Sequence, residues 1–132
     1  MSQELYWLTL TATMTALFWL PYVCNRLIVR GPVAALGNPM PDAKPHAPWA
    51  ERMMKAHSNA TENLVIFAAL VLTAQAAGIS TELTVIAAIT YFWARAVHFV
   101  VYALGIPLVR TLAFFVGFLA QMTIALTILG LL

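Results

Sequence analysis

From Leu5 to Leu20 every position is apolar or threonine. Continued through Pro21 to about Val29, the run reaches the roughly 20 residues a helix needs to cross a bilayer core, which predicts a first spanning helix over about 4–29. Pro21 predicts a bend inside it, because proline supplies no N–H and its ring crowds the preceding turn. From Gly31 to Pro48 the pattern changes: Gly31, Pro32, Gly37, Asn38, Pro39, Pro41, Asp42, Pro45 and Pro48 exclude a continuous helix or strand. Segment 31–48 is therefore predicted as a loop, and its length makes it either functional or loosely ordered. Pro48 suits the first turn of a second helix over about 49–77, which Gly78 ends. Ser80 or Thr81 caps a third helix over about 81–104, with Glu82 favourably placed in its first turn. Gly105-Ile106-Pro107 breaks the chain again before a fourth helix over about 107–130. Short turns make successive helices antiparallel, so the prediction is one all-α domain, a four-helix bundle running up-down-up-down.

Composition puts that bundle in a membrane. The chain has 132 residues, 62% hydrophobic and 9% charged, with a mean hydropathy of +0.85, whereas a soluble domain carries roughly 25% charged residues. Lipid is thus the expected surroundings of an integral, multi-pass protein. The net charge of +2 is small and its basic residues are scattered, which gives no nucleic-acid footprint. The lone Cys24 excludes an intramolecular disulfide and a multi-cysteine metal site. Glu4 precedes the first apolar run and basic residues follow it, which reads as a retained membrane helix rather than a secretory signal. Arg26, Arg30, Lys44, Arg52 and Lys55 flank the first loop, Arg110 adjoins the third, and the second has only Glu82. That asymmetry predicts both termini on the non-cytoplasmic side, with the first and third loops cytoplasmic.

Two polar stripes interrupt the apolar surface. On the second predicted helix Glu51, Lys55, Ser58 and Glu62 fall on one line, with Asn59 at its shoulder, while His57 points away. On the third, Tyr91, Arg95, His98 and Tyr102 lie within about 60° of one another. A charge within a membrane helix costs at least ~2.5–3.5 kcal/mol, so Arg95 needs an anionic partner, and Glu62 on the neighbouring helix is the obvious candidate. A buried bridge that fixes helix register would satisfy both. Yet the same region also collects Lys55, Asn59, His98, Tyr102 and Arg110, an excess of donors and positive charge that suits an anionic ligand. Arginine is apt there, since its fork grips a carboxylate at two points and its charge cannot be lost. No i,i+4 histidine pair or carboxylate cluster supports a metal, so His57 and His98 read as hydrogen-bonding residues. Gln121 reads as an interhelical hydrogen-bonding group.

These residues resemble the MAPEG superfamily, the membrane-associated proteins in eicosanoid and glutathione metabolism. The carriers are Lys55-Ala56-His57-Ser58-Asn59-Ala60-Thr61-Glu62, similar to the family's R-A-x-x-N-x-x-E run, and Arg95, His98 and Tyr102 with Arg110-Thr111, similar to its R-x-x-H-x-x-x-Y and R-[ST] pattern. The resemblance implies a homotrimer with a glutathione site between adjacent subunits, lined by positions matching Asn59, Glu62, Arg95, His98 and Tyr102. It places Arg110 near the glutathione sulfur, as the group that favours the thiolate, and it implies attack of that thiolate on a lipophilic electrophile or peroxide. Three positions depart from the pattern: Lys55 replaces a frequent arginine, Ser58 stands where some members carry a second arginine, and Phe114 stands where certain members have a tyrosine.

The leading expectation is a membrane protein that binds glutathione or a similar anionic thiol, with Lys55, Asn59, Glu62, Arg95, His98 and Tyr102 as binding residues and Arg110 as the catalytic one. The alternative is a non-enzymatic membrane oligomer or lipid-binding subunit in which the same residues lock helices together.

Overall fold

The computed structural model describes residues 1–132 and is entirely helical: α1 Gln3–Leu17, α2 Trp19–Arg30, α3 Pro32–Leu36, α4 Pro48–Ala76, α5 Glu82–Ala103 and α6 Pro107–Ile128. The first predicted helix is split at Phe18. Pro21 causes this from three residues away, because the N–H it lacks is the one that would bond the Leu17 carbonyl. Phe18 N–H instead donates to Thr15 at 3.2 Å. The predicted loop contains one short helix, α3, which Pro32 opens at its first turn.

Helix ends fall within two residues of expectation, and their chemistry explains why. Gly78 takes φ 70°, a left-handed conformation that glycine adopts without steric cost. It allows Ile79 N–H to reach back to the Ala74 carbonyl at 2.8 Å and close the end of α4. Thr81, rather than Ser80, caps α5; its hydroxyl accepts from Thr84 N–H at 3.1 Å while the Thr84 hydroxyl accepts from Thr81 N–H at 2.9 Å.

Three contacts fix the helix directions. Glu4, at the start of α1, accepts from the Ser80 and Thr84 hydroxyls at the α4/α5 turn. At the other end Asn25 of α2 accepts from Ala47 N–H at 3.1 Å, and Arg52 of α4 donates to the Ala103 carbonyl at 3.0 Å. The α1/α2 arm, α4 and α5 therefore alternate in direction, and α6 follows α5 after the short Leu104–Ile106 turn. The core divides accordingly. Around the Glu4 end, Phe67, Val71, Ala87, Ala88, Tyr91, Ala120 and Ile124 form an apolar cluster, with Phe67 and Tyr91 stacked at 3.9 Å. Toward the other end the cluster is smaller, Phe18, Ala56, Ala60 and Phe99, with Phe18 and Phe99 stacked at 3.7 Å.

Outside, the bundle is apolar: Ile28, Val65, Trp93, Leu108 and Leu112 are all more than half exposed. Three helical segments are long and apolar enough to cross a membrane, Gln3–Arg30, Glu82–Ala103 and Pro107–Ile128. The fourth predicted span, α4, is long enough at 29 residues, but the polar stripe in its first half lowers its hydropathy. This is an integral membrane protein, and the one long helix outside those three segments, α4, carries the candidate site.

Candidate functional site

The spacing of the α4 stripe makes a groove. Glu51, Lys55, Ser58 and Glu62 recur at the i, i+4, i+7, i+11 positions that stack along one helix face. With Met54, Asn59 and Tyr102 they line an open cavity of about 340 Å³. Beside it, Asn59, His98, Tyr102, Arg110, Thr111 and Phe114 line a second cavity of about 280 Å³. Asn59 and Tyr102 belong to both, so the two form a continuous polar band across α4, α5 and the start of α6.

Every binding residue expected from the sequence is in or directly behind this band, and Arg95 is the one behind. It is 2% exposed; its Nη2 donates to Asn59 Oδ1 at 2.6 Å, and its Nε has no partner. His98, also 2% exposed, leaves Nδ1 without a partner and meets the Tyr102 ring edge-on at 5.5 Å between centroids. The Arg110 guanidinium lies over the Tyr102 ring, 4.6 Å from its centroid. Tyr102 thus contacts both a buried imidazole and a cation, and Arg110 is held at the cavity wall by its attraction to the ring face.

One expectation is overturned. Glu62 does not pair with Arg95: it is exposed along the groove, and the one ion-pair contact in the chain is His46 with Glu51. The helical wheel gives the side of α4 on which Glu62 lies, but the Asn59 amide, one turn earlier, reaches Arg95 first. The buried guanidinium is left with a neutral partner, an arrangement that favours an incoming anion. Tyr91, grouped with this stripe by periodicity, is instead in the apolar core against Phe67. Gln121 bridges helices as expected, donating to the Asn63 carbonyl at 3.1 Å.

Two arrangements were not foreseen. Tyr22 OH and His57 Nδ1 are 2.7 Å apart at the edge of a third cavity of about 550 Å³ that shares Ser58 and Glu62 with the groove. His46 bridges Arg26 and Glu51. Both depend on how the α2 arm and the loop fold against α4, and neither has a periodic signature. The His57 direction, away from the Lys55 stripe, is the only part that spacing announced.

Among known families, the MAPEG family model matches residues 5–130. No curated protein and no solved structure matches the chain.

Proposed function

The chain belongs to the MAPEG family, and on that premise we propose that it binds glutathione, or a similar anionic thiol, in the α4 groove and directs it at lipophilic electrophiles or peroxides from the bilayer. The observation that carries this reading is Arg95, a buried cation with one neutral partner and a free Nε. Leaving such a charge unmatched is costly, and a ligand carboxylate offers the missing acceptor. Lys55 at the groove and Arg110 in the neighbouring cavity extend the positive field, while Glu51 and Glu62 suit a ligand's ammonium group. A peptide-like zwitterion fits that mixture better than a simple anion. Bound glutathione would supply a thiolate nucleophile, and Arg110, held against Tyr102, is placed to favour the ionised sulfur. Hydrogen bonding from Asn59, His98 and Tyr102 would orient the peptide.

The same reading makes the whole chain one MAPEG-like domain, with α4 as a fourth spanning helix whose polar half faces protein, a homotrimer with the groove at the boundary between subunits, and both termini on the non-cytoplasmic side. The apolar exterior supports that placement, and so does the cluster of basic residues about the first loop. The expected result for purified protein in detergent is a rise in melting temperature with millimolar glutathione. Arg95→Ala should lose that rise, and Arg110→Gln should keep it while losing conjugation to an aromatic halide. Absence of any rise in the wild type would refute the reading. Phe114 favours a second reading, binding without turnover, since it sets an apolar ring in the cavity wall with Arg110; a full thermal shift with no conjugation would identify it.

A further inference from the structure

At the end of the bundle away from Glu4, the apolar spans stop at one level. Gln3–Arg30 and Glu82–Ala103 end there and Pro107–Ile128 begins there, so this is where the chain passes from hydrocarbon into the headgroup layer. Three arginines stand at or within one turn of that level, and each is anchored through Nε alone. Arg30 Nε donates to the Lys44 carbonyl at 2.8 Å, Arg26 Nε to His46 Nε2 at 3.1 Å, and Arg52 Nε to the Ala103 carbonyl at 3.0 Å. Arg52 also fills the turn into α6, where a Cβ on Gly105 would stand 3.3 Å from the guanidinium carbon. The Nη groups of all three bond to nothing in the chain, and none is buried. No carboxylate neutralises them, since the one ion-pair contact joins His46 to Glu51. Guanidinium forks held at Nε and open at Nη are set to receive the oxygens of an anion.

The surface around these forks specifies which anion. Segment 26–55 sets Arg26, Arg30, Lys44, Arg52 and Lys55 against Asp42 and Glu51, whereas the opposite end, with Glu4 and Glu82, has no lysine or arginine. Beside the cations, Ile28, Val33 and Leu36 are each more than four-fifths exposed. Val33 and Leu36 share one face of α3, and Trp49, partly exposed at the start of α4, is of the type that settles at membrane interfaces. A soluble anion would use the forks and leave those apolar side chains in water; an amphiphile uses both. We infer that α3 and its flanks are a docking surface for anionic phospholipids of the surrounding leaflet. Their phosphates lie at Arg26, Arg30 and Arg52, Lys44 adds charge, and Val33 and Leu36 reach the acyl boundary. The surface is continuous with the lipid-facing exterior through Ile28, and its charge complements an anionic leaflet. A second copy meeting this face with its own would set like charges together. Glutathione has no part in this contact.

The test places the purified protein, without glutathione, in nanodiscs of mixed phosphatidylcholine and phosphatidylglycerol. Native mass spectrometry then reads how far phosphatidylglycerol is enriched, over its share of the bilayer, among the lipids that stay bound. In the wild type the enrichment should be at least about tenfold. Arg30→Gln, whose amide can still donate toward the Lys44 carbonyl, and Lys44→Gln, whose side chain bonds to nothing in the fold, should each lower it about fivefold, the worth of one charge at an anionic surface. Leu36→Asp, which sets a carboxylate on the seated face, should lower it as well, with the number of copies in the assembly unchanged. Wild-type retention that follows the bilayer composition, or enrichment that survives Arg30→Gln and Lys44→Gln together, overturns the inference. So does a change in the number of copies with Leu36→Asp, which would make this face a contact between chains.

Discussion

The molecule buries one full charge near each end, and their surroundings differ. Glu4, 3% exposed, accepts from Ser80 at 2.9 Å and also from Thr84, whose hydroxyl is itself tied into the cap of α5. Arg95, 2% exposed, has one neutral acceptor and a free Nε. The first charge is answered by its own chain and closes the bundle where α1 meets the α4/α5 turn. The second is not answered, and the surplus polarity gathers around it: His98 with an unpartnered Nδ1, Arg110 over Tyr102, and an open groove in front. A buried charge met by donors on both of its oxygens asks for no further partner, while one left short of partners points to something the chain alone does not supply.

That contrast can be broken at either end. The largest expected effect is at Glu4. Glu4→Ala removes two hydrogen bonds to a charged acceptor and should cost about 2 kcal/mol of stability, read by denaturation in detergent, with glutathione affinity unchanged. Glu4→Gln keeps an acceptor and should cost about 1 kcal/mol. A loss of ligand binding in either would mean that the two ends are coupled and the contrast false. The smallest effect on stability is expected at Phe114, which is 38% exposed. Phe114→Tyr should shift stability by less than about 0.5 kcal/mol, yet raise the conjugation rate severalfold by adding a hydroxyl near the Arg110 guanidinium. An unchanged rate would show that this position does not limit the chemistry.

The sequence conveyed the frame more fully than the site. Helix ends were legible because Pro48, Gly78, Thr81, Gly105 and Pro107 act locally, through a missing N–H, a left-handed turn or a hydroxyl cap, and need no tertiary context. The gathering of Lys55, Asn59, Glu62, His98, Tyr102 and Arg110 was legible too, because helical periodicity assigns faces. Partner choice was not. Periodicity cannot say that Asn59 rather than Glu62 reaches Arg95, since that depends on axial offset between two helices and on side-chain length. Glu4 read only as a marker of topology, for its hydroxyl partners lie 76 and 80 residues away. His46 lies in a proline-rich loop whose path no pattern encodes, so its bonds to Arg26 and Glu51 emerge only from the folded arrangement.

If Arg95 is retained for a ligand and not for the fold, Arg95→Met separates the two roles. A buried cation with one neutral partner is a burden on the unliganded protein, and Asn59 keeps a second contact through Asn63 when the guanidinium is gone. Without ligand the methionine variant should be at least as stable as the wild type, with a gain of about 1 kcal/mol, and glutathione should no longer raise its melting temperature. A loss of about 3 kcal/mol or more without ligand, or a glutathione-dependent rise equal to that of the wild type, would contradict it.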